Sequence, residues 1–334
     1  MKQRIAVIFG GPSVEHDVSI LSAKNVLASC LDAGFDVVPI YVDKDMSWRI
    51  ADVRDIERAT GEPLRLLPGE GIVDSEGAFV DIDVAFPLIH GTFGEDGTLQ
   101  AVLEALGIPY IGSGVLASSL CMDKPMAKRI ASLEDVPVAK FMTATTDEVP
   151  KFTDIVADLG STLFVKPASL GSSVGVSRVT DQEGYEMAVA EILELGQEVL
   201  IEECISGREI ECSFLDDSGI QVSRCGEIST THEFYSYKAK YLDEESLKLT
   251  IPAAIPSEVE QRIQDYVRIL VKVLGLTGYA RIDFFLTDSG EVIFNEVNTI
   301  PGFTQFSMYP MLWEERGYSG AELVKALISS AVRN

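Results

Sequence analysis

The chain has 334 residues, of which 46% are hydrophobic, and its formal net charge is −25. A chain of this length predicts two or three globular domains. Its acidity disfavours nucleic-acid binding, because neutralising phosphates requires a basic face. No apolar run reaches the roughly 18 residues of a membrane span, and the N-terminal residues do not resemble a signal peptide. The five cysteines form no C-x-x-C pair, which is typical of reduced thiols, so we expect a cytoplasmic protein.

The first 122 residues alternate strand and helix patterns. An apolar run at 4–9 is followed by a glycine turn and a helical pattern. Further strand patterns lie at 35–42 and 80–89, and the second of these precedes another helical pattern. This alternation predicts an N-terminal α/β domain, residues 1–122, built on a doubly wound parallel sheet. Such sheets bind ligands at the carboxyl ends of their strands, where the polar turns GGPSVEHDVS and HGTFGEDGT lie.

From residue 123 the pattern changes to α+β. Residues 123–213 predict helices and short strands of an antiparallel kind. Residues 214–334 predict a helix at 257–274, a hairpin at 279–298 and a final helix near 319–332. We therefore expect a central lobe and a C-terminal lobe after the N-terminal domain.

The hairpin in the C-terminal lobe carries the strongest chemical signal. If the chain turns on Ser289-Gly290 in a two-residue loop, Asp283 lies opposite Glu296, and Arg281 lies opposite Asn298. Period-two alternation then places these four side chains on one face. Two facing carboxylates, about 4.5–5.5 Å apart, destabilise a strand pair that lacks a counter-charge. With an amide oxygen they form a ligand set that suits Mg²⁺, and a solvated hairpin face is the alternative.

Residues 199–215 predict a second hairpin, which would turn on Ser206-Gly207. Glu202 and Glu203 are neighbours, so alternation sends them to opposite faces. One of them would be solvated and the other would meet a donor such as a purine amine. Glu209, just past the turn, would be able to accept ribose hydroxyls. A charged edge strand is the alternative.

The stretch FVKPASLGSSVGV at 164–176 combines a lysine with a Gly-Ser loop. It is not a P-loop, because there the lysine follows the glycines and opens a helix, whereas Lys166 precedes them. Lys166 on a strand would face a loop whose N–H groups and hydroxyls close over phosphate oxygens. A hairpin turn rich in Gly and Ser is the alternative. Lys124, in DKPMAK, is a second candidate cation, although a lysine at a helix start is normally solvated.

Together these motifs resemble the ATP-grasp superfamily and, within it, the D-alanine–D-alanine ligase family. The matching segments cover essentially the whole chain, in the family's order: 9–19, 90–100, 110–124, 165–176, 234–241 and 280–310. The resemblance implies an N-terminal α/β domain followed by a two-lobed ATP-grasp fold that holds ATP between its lobes. It also implies the reaction. ATP phosphorylates the carboxylate of one D-alanine, the amine of a second D-alanine attacks the acylphosphate, and the dipeptide formed would serve peptidoglycan precursor synthesis.

The resemblance also assigns roles to residues at the positions of the family's motifs. The ATP-binding set is Lys124, Lys166, Ser173, Glu202, Cys204, Ile205, Glu209, Tyr235, Lys240 and Phe294. The ligands of two Mg²⁺ ions, with Mn²⁺ as an alternative, are Asp283, Glu296 and Asn298. The catalytic set is Glu15, Ser172, Tyr241, Arg281 and Gly302. The substrate-binding set is His90, Ser307 and Met308.

Within the catalytic set, two donors would stabilise the tetrahedral oxyanion: the Arg281 side chain and the backbone N–H of Gly302. Glycine suits this position because it allows close backbone approach. Glu15 would bind the ammonium group of the first substrate, and hydrogen bonds would link it to Ser172 and Tyr241.

Residues 229–247 lack helical or strand periodicity and are long for a structureless connection, which predicts a functional lid. Tyr241 in this segment favours an amino-acid acceptor, because related ligases that use D-lactate usually depart from tyrosine here. D-alanine–D-serine ligase, D-alanine–D-lactate ligase and a nucleotide-binding protein without catalysis are the alternatives. The resemblance implies a homodimer that binds ATP and D-alanine, and we expect neither nucleic-acid binding nor membrane insertion.

Overall fold

Three parallel strands form one side of the N-terminal sheet. β1 (Arg4–Gly10) lies between β2 (Asp36–Val42) and β7 (Val84–Pro87), parallel to both. β3 (Trp48–Ala51) and β4 (Gly61–Pro63) extend the sheet in antiparallel fashion beyond β2. The order is therefore β4-β3-β2-β1-β7, and the antiparallel edge is a feature that the sequence pattern did not indicate. The structure is a computed structural model that describes residues 2–56, 61–171, 174–230 and 247–331.

Helices cover both faces of this sheet, because β1 is apolar on both. One set of alternate β1 residues, which includes Val7, packs with α1 (His16–Asp32) and the C-terminal α9 (Gly320–Ala331). The other set, which includes Ile8, packs with α2 (Thr98–Leu106). The predicted doubly wound α/β class is confirmed. A small hairpin lies outside the sheet and consists of β5 (Arg65–Leu67) and β6 (Gly71–Val73).

The second sheet is antiparallel and belongs to the central lobe. Its strands are β8 (Phe141–Ala144), β9 (Leu163–Pro167), β10 (Ser177–Val179) and β11 (Val199–Glu203), in the order β10-β9-β11-β8. Two helices share its apolar core, α5 (Phe152–Leu159) and α6 (Gln182–Glu194).

The third sheet forms the C-terminal lobe. Its strands are β12 (Gly207–Asp216), β13 (Ile220–Thr230), β14 (Leu247–Thr250), β15 (Tyr279–Thr287) and β16 (Val292–Asn298), in the order β14-β13-β12-β15-β16. The helix α7 (Ser257–Val273) packs on it through a stripe of apolar residues at helical spacing, among them Val259, Ile263 and Val267. The predicted two-lobed ATP-grasp fold is confirmed by these two sheets and by the structural likenesses given below.

Three further helices connect these layers: α3 (Val115–Met122), α4 (Lys124–Leu133) and α8 (Met308–Glu315). α3 and α4 join the N-terminal domain to the lobes, and both contact β16. Asp123 lies between them and caps α4, because its side chain accepts a hydrogen bond from the backbone N–H of Met126 at 2.9 Å. Among the helices of the described residues, none is long and apolar enough to cross a bilayer.

The predicted hairpin at 199–215 is wrong. β11 pairs with β8 and β9 in the second sheet, whereas β12 pairs with β13 and β15 in the third. Residues 204–206 are thus a link between two sheets, and the predicted lobe boundary after residue 213 falls inside β12. The reason is that Ser206-Gly207 permits a sharp change of direction whether or not the flanking strands pair with each other.

Candidate active site

A cleft of about 510 Å³ lies where the three sheets meet. Its walls come from the ends of the N-terminal strands, the start of α4, β9, the link at 204–206 and the β15–β16 hairpin. The predicted site residues that line it are Glu15, His90, Lys124, Lys166, Glu202, Cys204, Ile205, Glu209, Arg281, Asp283, Glu296, Asn298 and Gly302. The fold therefore brings into one cavity residues that are spread over almost the whole sequence.

The β15–β16 hairpin presents one charged face to the cleft. Asp283 pairs with Glu296, and Arg281 pairs with Asn298, as predicted. The predicted turn is wrong, however. The loop has three residues, Asp288 to Gly290, because the backbone N–H of Thr287 bonds to the carbonyl of Glu291. A β-bulge between Asp283 and Phe284 restores the pairing at the site, so two departures from the assumed register cancel.

The bulge also decides where Phe294 lies. Simple alternation would place it on the same face as Glu296, but Asn295 is the extra residue, and Phe294 pairs with Phe284 on the opposite face. Phe294 is fully buried in the core of the C-terminal lobe, whereas Phe285 and Asn295 line the cleft. The prediction that the Phe294 side chain contacts ATP is therefore contradicted.

Arg281 ties the charged face together. Its Nε and Nη2 each donate to one oxygen of Asp283 at 2.8 Å. The Nε is also 3.1 Å from a carboxylate oxygen of Glu211, on the neighbouring strand. The Asn298 amide donates to Asp283 at 2.9 Å. We call Glu211, Asp283, Glu296 and Asn298 the acidic wall, and Glu211 is a member that the sequence reasoning missed.

Opposite the acidic wall lies a buried cluster of two lysines and one acid. Glu202 on β11 is 2.8 Å from the Nζ of Lys128 and 2.5 Å from the Nζ of Lys166. We call these three residues the lysine cluster. Its members are at most partly exposed, and Glu202 is 5% exposed. The predicted separation of Glu202 from Glu203 is found, but the donors that Glu202 meets within the protein are ammonium groups.

The electrostatics of the lysine cluster follow from burial and close pairing. Burial would raise the pKa of Glu202, but the ammonium groups of Lys128 and Lys166 outweigh it and hold the pKa at about 2. Burial likewise opposes the charge on Lys166, yet Glu202 and Glu296 raise its pKa above the ordinary value. The carboxylate of Glu202 and the ammonium group of Lys166 are therefore charged at neutral pH. Burial lowers the pKa of Lys128, and the nearby carboxylate of Glu202 partly offsets this effect. Lys128 was not predicted, since a lysine one turn into a helix is more often solvated.

Lys124 begins α4 and is buried, which contradicts the solvated alternative. Its Nζ donates to the carbonyl of Leu170 at 2.8 Å and lies 3.6 Å from a carboxylate oxygen of Glu296. Because Lys124 and Lys128 are four residues apart, they project from the same face of the helix. Lys124 thus connects the Gly-Ser loop to the acidic wall.

The link at 204–206 lines the outer part of the cleft. The backbone N–H of Cys204 donates to the carbonyl of Thr162 at 3.2 Å, so the expected backbone contact with adenine falls to other groups of this link. Glu203 lies on the opposite face of β11 and accepts the backbone N–H of Lys140 at 2.7 Å. Glu209 is exposed at the rim, as the third residue of β12 beyond the link.

His90 lies at the inner end of the cleft in a defined tautomer. Its Nδ1 is 2.9 Å from the carbonyl of Ile300, so this nitrogen carries the proton. Burial lowers the pKa of His90, which leaves Nε2 as an acceptor from the Ser22 hydroxyl at 2.9 Å. The same hydroxyl accepts the backbone N–H of Phe303 at 3.1 Å. His90 therefore fixes the segment that carries Gly302.

Glu95 also holds the backbone at the inner end of the cleft. The sequence reasoning did not predict it. Its two oxygens accept the backbone N–H groups of Gly91 at 3.0 Å and Ile300 at 2.8 Å. Burial, together with the nearby charge of Glu15, raises its pKa to about 8. The HGTFGEDGT turn thus holds the 300–302 segment through both a histidine and an acid.

Glu15 approaches the glycines of two loops. A Cβ on Gly91 would lie 2.6 Å from a carboxylate oxygen of Glu15, so this close approach requires glycine, which also has a positive φ of 70°. A Cβ on Gly171, at the described end of the Gly-Ser loop, would lie 3.5 Å from the same oxygen. The described part of that loop is therefore adjacent to the predicted substrate-binding acid.

Ser307 lies next to Gly302, and neither Ser307 nor Met308 is in the lining of the cleft as the described residues define it. A Cβ on Gly302 would be 2.8 Å from the Ser307 hydroxyl. That hydroxyl accepts the backbone N–H of Thr304 at 3.0 Å, and Met308 begins α8 with a buried side chain. The predictions for Ser172, Ser173, Tyr235, Lys240 and Tyr241, and for most of the lid, lie outside the described residues.

Among the described residues, no group of three or more His, Cys, Asp or Glu side chains is arranged to hold a metal ion. The candidate set is instead two facing carboxylates and an amide, a donor set that is typical of Mg²⁺ rather than of zinc.

Known proteins and family models match both the N-terminal domain and the two lobes of this chain. A family model described as D-ala D-ala ligase N-terminus matches residues 4–113, and one described as D-ala D-ala ligase C-terminus matches residues 130–329. The D-alanine–D-alanine ligase of Sodalis glossinidius is 44% identical, with 98% of this chain and 94% of the relative covered. D-alanine–D-alanine ligase A of Escherichia coli K12 is 40% identical, with 99% and 96% covered.

Two solved structures extend the likeness to three dimensions. The VanG D-Ala:D-Ser ligase from Enterococcus faecalis has a TM-score of 0.90 and 36% identity, with 99% of this chain and 100% of that chain covered. The D-alanine–D-alanine ligase from Coxiella burnetii has a TM-score of 0.87 and 32% identity, with 99% and 96% covered. Sequence, fold and cleft agree, and the chain belongs to the D-alanine–D-alanine ligase family.

Proposed function

We propose that this protein is an ATP-dependent D-alanine–D-alanine ligase, which forms a carbon–nitrogen bond and releases ADP and phosphate. The observation that carries the proposal is the cleft. Lys124 and Lys166 line the same cavity as the paired carboxylates Asp283 and Glu296, with Arg281 beside them. Ammonium groups suit phosphates, and paired carboxylates suit a divalent cation, so the cavity is equipped for phosphoryl transfer from a nucleotide. The relatives named above support the choice of D-alanine as substrate.

The reaction has two steps. A carboxylate oxygen of the first D-alanine attacks the γ-phosphorus of ATP, the bond to ADP breaks, and an acylphosphate forms. The amine of the second D-alanine then attacks the acyl carbon, and the tetrahedral intermediate expels phosphate as the nitrogen loses a proton. Phosphorylation is needed because a free carboxylate is a poor electrophile. The protein contributes mainly positioning and charge stabilisation.

Lys124 and Lys166 would bind the phosphates of ATP. The adenine would lie against the link at 204–206, and Glu209 at the rim would accept the ribose hydroxyls. Glu202 would then act through Lys166 and Lys128, which its oxygens already contact.

Asp283, Glu296 and Asn298 would hold two Mg²⁺ ions. The fit rests on the structure of the acidic wall, where the two carboxylates are paired across β15 and β16 and Asn298 adjoins Asp283. Bound Mg²⁺ neutralises phosphate charge and polarises the transferred phosphoryl group. Arg281, which already bridges Asp283 and Glu211, limits repulsion within the wall.

The inner end of the cleft would bind the amino acids. Glu15 would take the ammonium group of the first D-alanine, with His90 near its carboxylate. Arg281 and the backbone N–H of Gly302 would stabilise the tetrahedral oxyanion. Ser307 and the backbone of Met308 would receive the carboxylate of the second D-alanine. Ser172 and Tyr241 would link the loops to Glu15, and Ser173, Tyr235 and Lys240 would contact ATP.

D-Serine is a second candidate for the acceptor. A solved structure named as a D-Ala:D-Ser ligase has a TM-score of 0.90 to this chain, and the two acceptors differ by one hydroxyl. A pocket built for the smaller substrate rejects an added hydroxyl only modestly, by about a hundredfold. D-Lactate is disfavoured by the presence of Tyr241.

A substrate panel tests the proposal. Phosphate release and product identity are measured with ATP, Mg²⁺ and D-alanine alone, then with D-serine or D-lactate as the second substrate. We expect D-alanyl-D-alanine as the main product. If D-serine or D-lactate is preferred at neutral pH, the proposal of D-alanine as the acceptor is wrong. If the protein binds ATP but releases no phosphate in response to any amino acid, it is a nucleotide-binding protein without ligase activity.

We also propose that the protein is a cytoplasmic homodimer that pairs through its N-terminal domain. The domain arrangement we propose is residues 1–122, a central lobe that ends at the 204–206 link, and a C-terminal lobe. Light scattering coupled to size-exclusion chromatography tests the dimer, and a monomer at micromolar concentration would contradict it.

A further inference from the structure

One buried lysine contacts neither ATP nor an amino-acid substrate in the reaction as described so far. Lys128 lies on α4, one turn after Lys124, and is 1% exposed. In the described structure it does not line the cleft. Its Nζ is 2.8 Å from one oxygen of Glu202, and the other oxygen of Glu202 is 2.5 Å from the Nζ of Lys166. One carboxylate therefore lies between two ammonium groups.

Lys128 is anchored away from the nucleotide. Its Nζ donates to the backbone carbonyl of Phe294 at 3.4 Å and lies 5.8 Å from the centroid of the Phe294 ring. Phe294, which the β-bulge turns into the core, is therefore a second partner of Lys128 besides Glu202. These contacts of Lys128 do not involve Lys166.

Lys166 has two competing partners. It contacts Glu202 in the protein alone, and it lines the cleft where phosphates would bind. When Lys166 turns toward a phosphate, its contact with Glu202 weakens. A buried carboxylate that loses its only cation is strongly destabilised. Lys128 prevents this, because it remains paired with the other oxygen of Glu202.

We propose that Lys128 is a positioning residue for the nucleotide: it keeps Glu202 paired, and so allows Lys166 to move from Glu202 to the phosphates of ATP. The proposal rests on the phosphate-binding role of Lys166 under the proposed function. It assigns to Lys128 an effect on ATP affinity that is exerted entirely through Glu202.

Steady-state kinetics of the full-length protein tests this role. Lys128→Met is expected to raise the KM for ATP by about tenfold or more, with kcat within about threefold and the KM for D-alanine unchanged. Lys128→Gln, a milder change that removes the charge but keeps an N–H donor, is expected to act in the same direction. Arg129→Met is the matched control, because it removes a positive charge from the same helix at an exposed position.

A double-mutant cycle shows whether the effect passes through Glu202. Lys128→Met is repeated in a Glu202→Gln background, where no buried carboxylate can be left unpaired. There we expect the change in KM for ATP to fall below about threefold relative to Glu202→Gln alone. An equal cost in both backgrounds, a loss in kcat with an unchanged KM for ATP, or an equal effect of Arg129→Met would overturn the proposal.

Direct binding separates this proposal from the proposed function. The dissociation constant for ADP, measured by titration calorimetry, should rise in Lys128→Met in parallel with the KM for ATP. A wild-type protein that binds ADP but forms no dipeptide would reject the ligase function and leave the binding test of Lys128 intact. An unchanged ADP affinity in folded Lys128→Met or Lys128→Gln would reject the role of Lys128 alone.

Discussion

The acidic wall and the lysine cluster lie beside the same cleft but differ in how completely their carboxylates are paired with cations. In the lysine cluster, each oxygen of Glu202 has its own ammonium partner within 2.8 Å. In the acidic wall, Asp283 shares Arg281 with Glu211, and the lysine nearest to Glu296 in the described part of the chain is 3.6 Å away. The cluster is saturated with cations, whereas the wall has more carboxylates than cations.

This difference indicates what each side is suited to receive. The acidic wall has surplus negative charge, so a bound divalent cation would stabilise it most. The lysine cluster has two ammonium groups on one carboxylate, so one of them can bind an anion while the other still pairs with the carboxylate. A strongly acidic protein can thus bind a nucleotide, because its cleft concentrates cations on one side and leaves room for metal ions on the other.

The largest expected loss of activity comes from a substitution in the acidic wall. Asp283→Asn keeps the shape of the side chain but removes a proposed metal ligand, so we expect kcat for dipeptide formation to fall by about a thousandfold. The matched control is Asp288→Asn, in the exposed loop of the same hairpin, which should leave kcat unchanged. Normal activity in Asp283→Asn would refute the metal site and with it the contrast between the two sides.

The lysine cluster should show its effect in stability and its pH dependence. The pKa of Glu202 is lowered from 4.5 to about 2 in the folded protein. Its contribution is therefore present above about pH 4.5 and is lost as the pH falls toward 2. Glu202→Gln should lower the free energy of unfolding at pH 7 by about 3 kcal/mol, and this deficit should shrink as the pH falls from 4.5 to 3.

Urea denaturation at a series of pH values measures this deficit. Glu203→Gln is the control, because Glu203 is the neighbouring acid on the opposite face of β11 and contacts a backbone N–H group. A deficit for Glu202→Gln that does not vary between pH 7 and pH 3 would mean that the ion pairs of the lysine cluster do not stabilise the fold.

Gly302→Ala tests how closely the oxyanion segment must fit. The added Cβ would lie 2.8 Å from the Ser307 hydroxyl, so the segment must shift. We expect kcat to fall by about tenfold with little change in stability, because small displacements of a reacting group are costly. Gly114→Ala is the matched control, since its Cβ would meet its nearest neighbour at 3.7 Å. Equal kinetics of the two variants would argue against a catalytic role for Gly302.

The smallest effect is expected at Phe294. Because its ring lies in the core, Phe294→Leu should lower the free energy of unfolding by about 1 kcal/mol and leave the KM for ATP unchanged. Phe285→Leu, on the cleft side of the same hairpin, should instead raise the KM for ATP severalfold. The reverse pattern would place Phe294 at the nucleotide and contradict the bulge.

Two segments show how far local sequence reasoning reaches. Both 199–215 and 280–298 contain acidic residues, alternating apolar residues and a Ser-Gly pair, and both predict a hairpin. Only the second is one, because β11 and β12 pair with different neighbours. A turn signal describes the backbone of a few residues, whereas strand pairing depends on partners that are distant in the sequence.

In the candidate site, too, some residues could be predicted from the sequence and others could not. Asp283, Glu296, Lys124 and Lys166 could be found from residue type, alternation and motif. Lys128, Glu95 and Glu211 could not, because helical or strand periodicity gives no sign that a charged side chain is buried against a partner on another element. Phe294 was misplaced because a single extra residue, Asn295, reverses the face of every residue beyond it.

By itself, the sequence determined the alternating elements, the fold class and the family motifs. These depend on local periodicity and on residues close along the chain. Only the tertiary structure decided that residues 204–206 link two different sheets, that Phe294 faces the core and that Lys128 is buried beside Glu202. The physical reason is that burial and ion pairing are set by which elements pack together, and the alternation of one strand or helix does not contain that information.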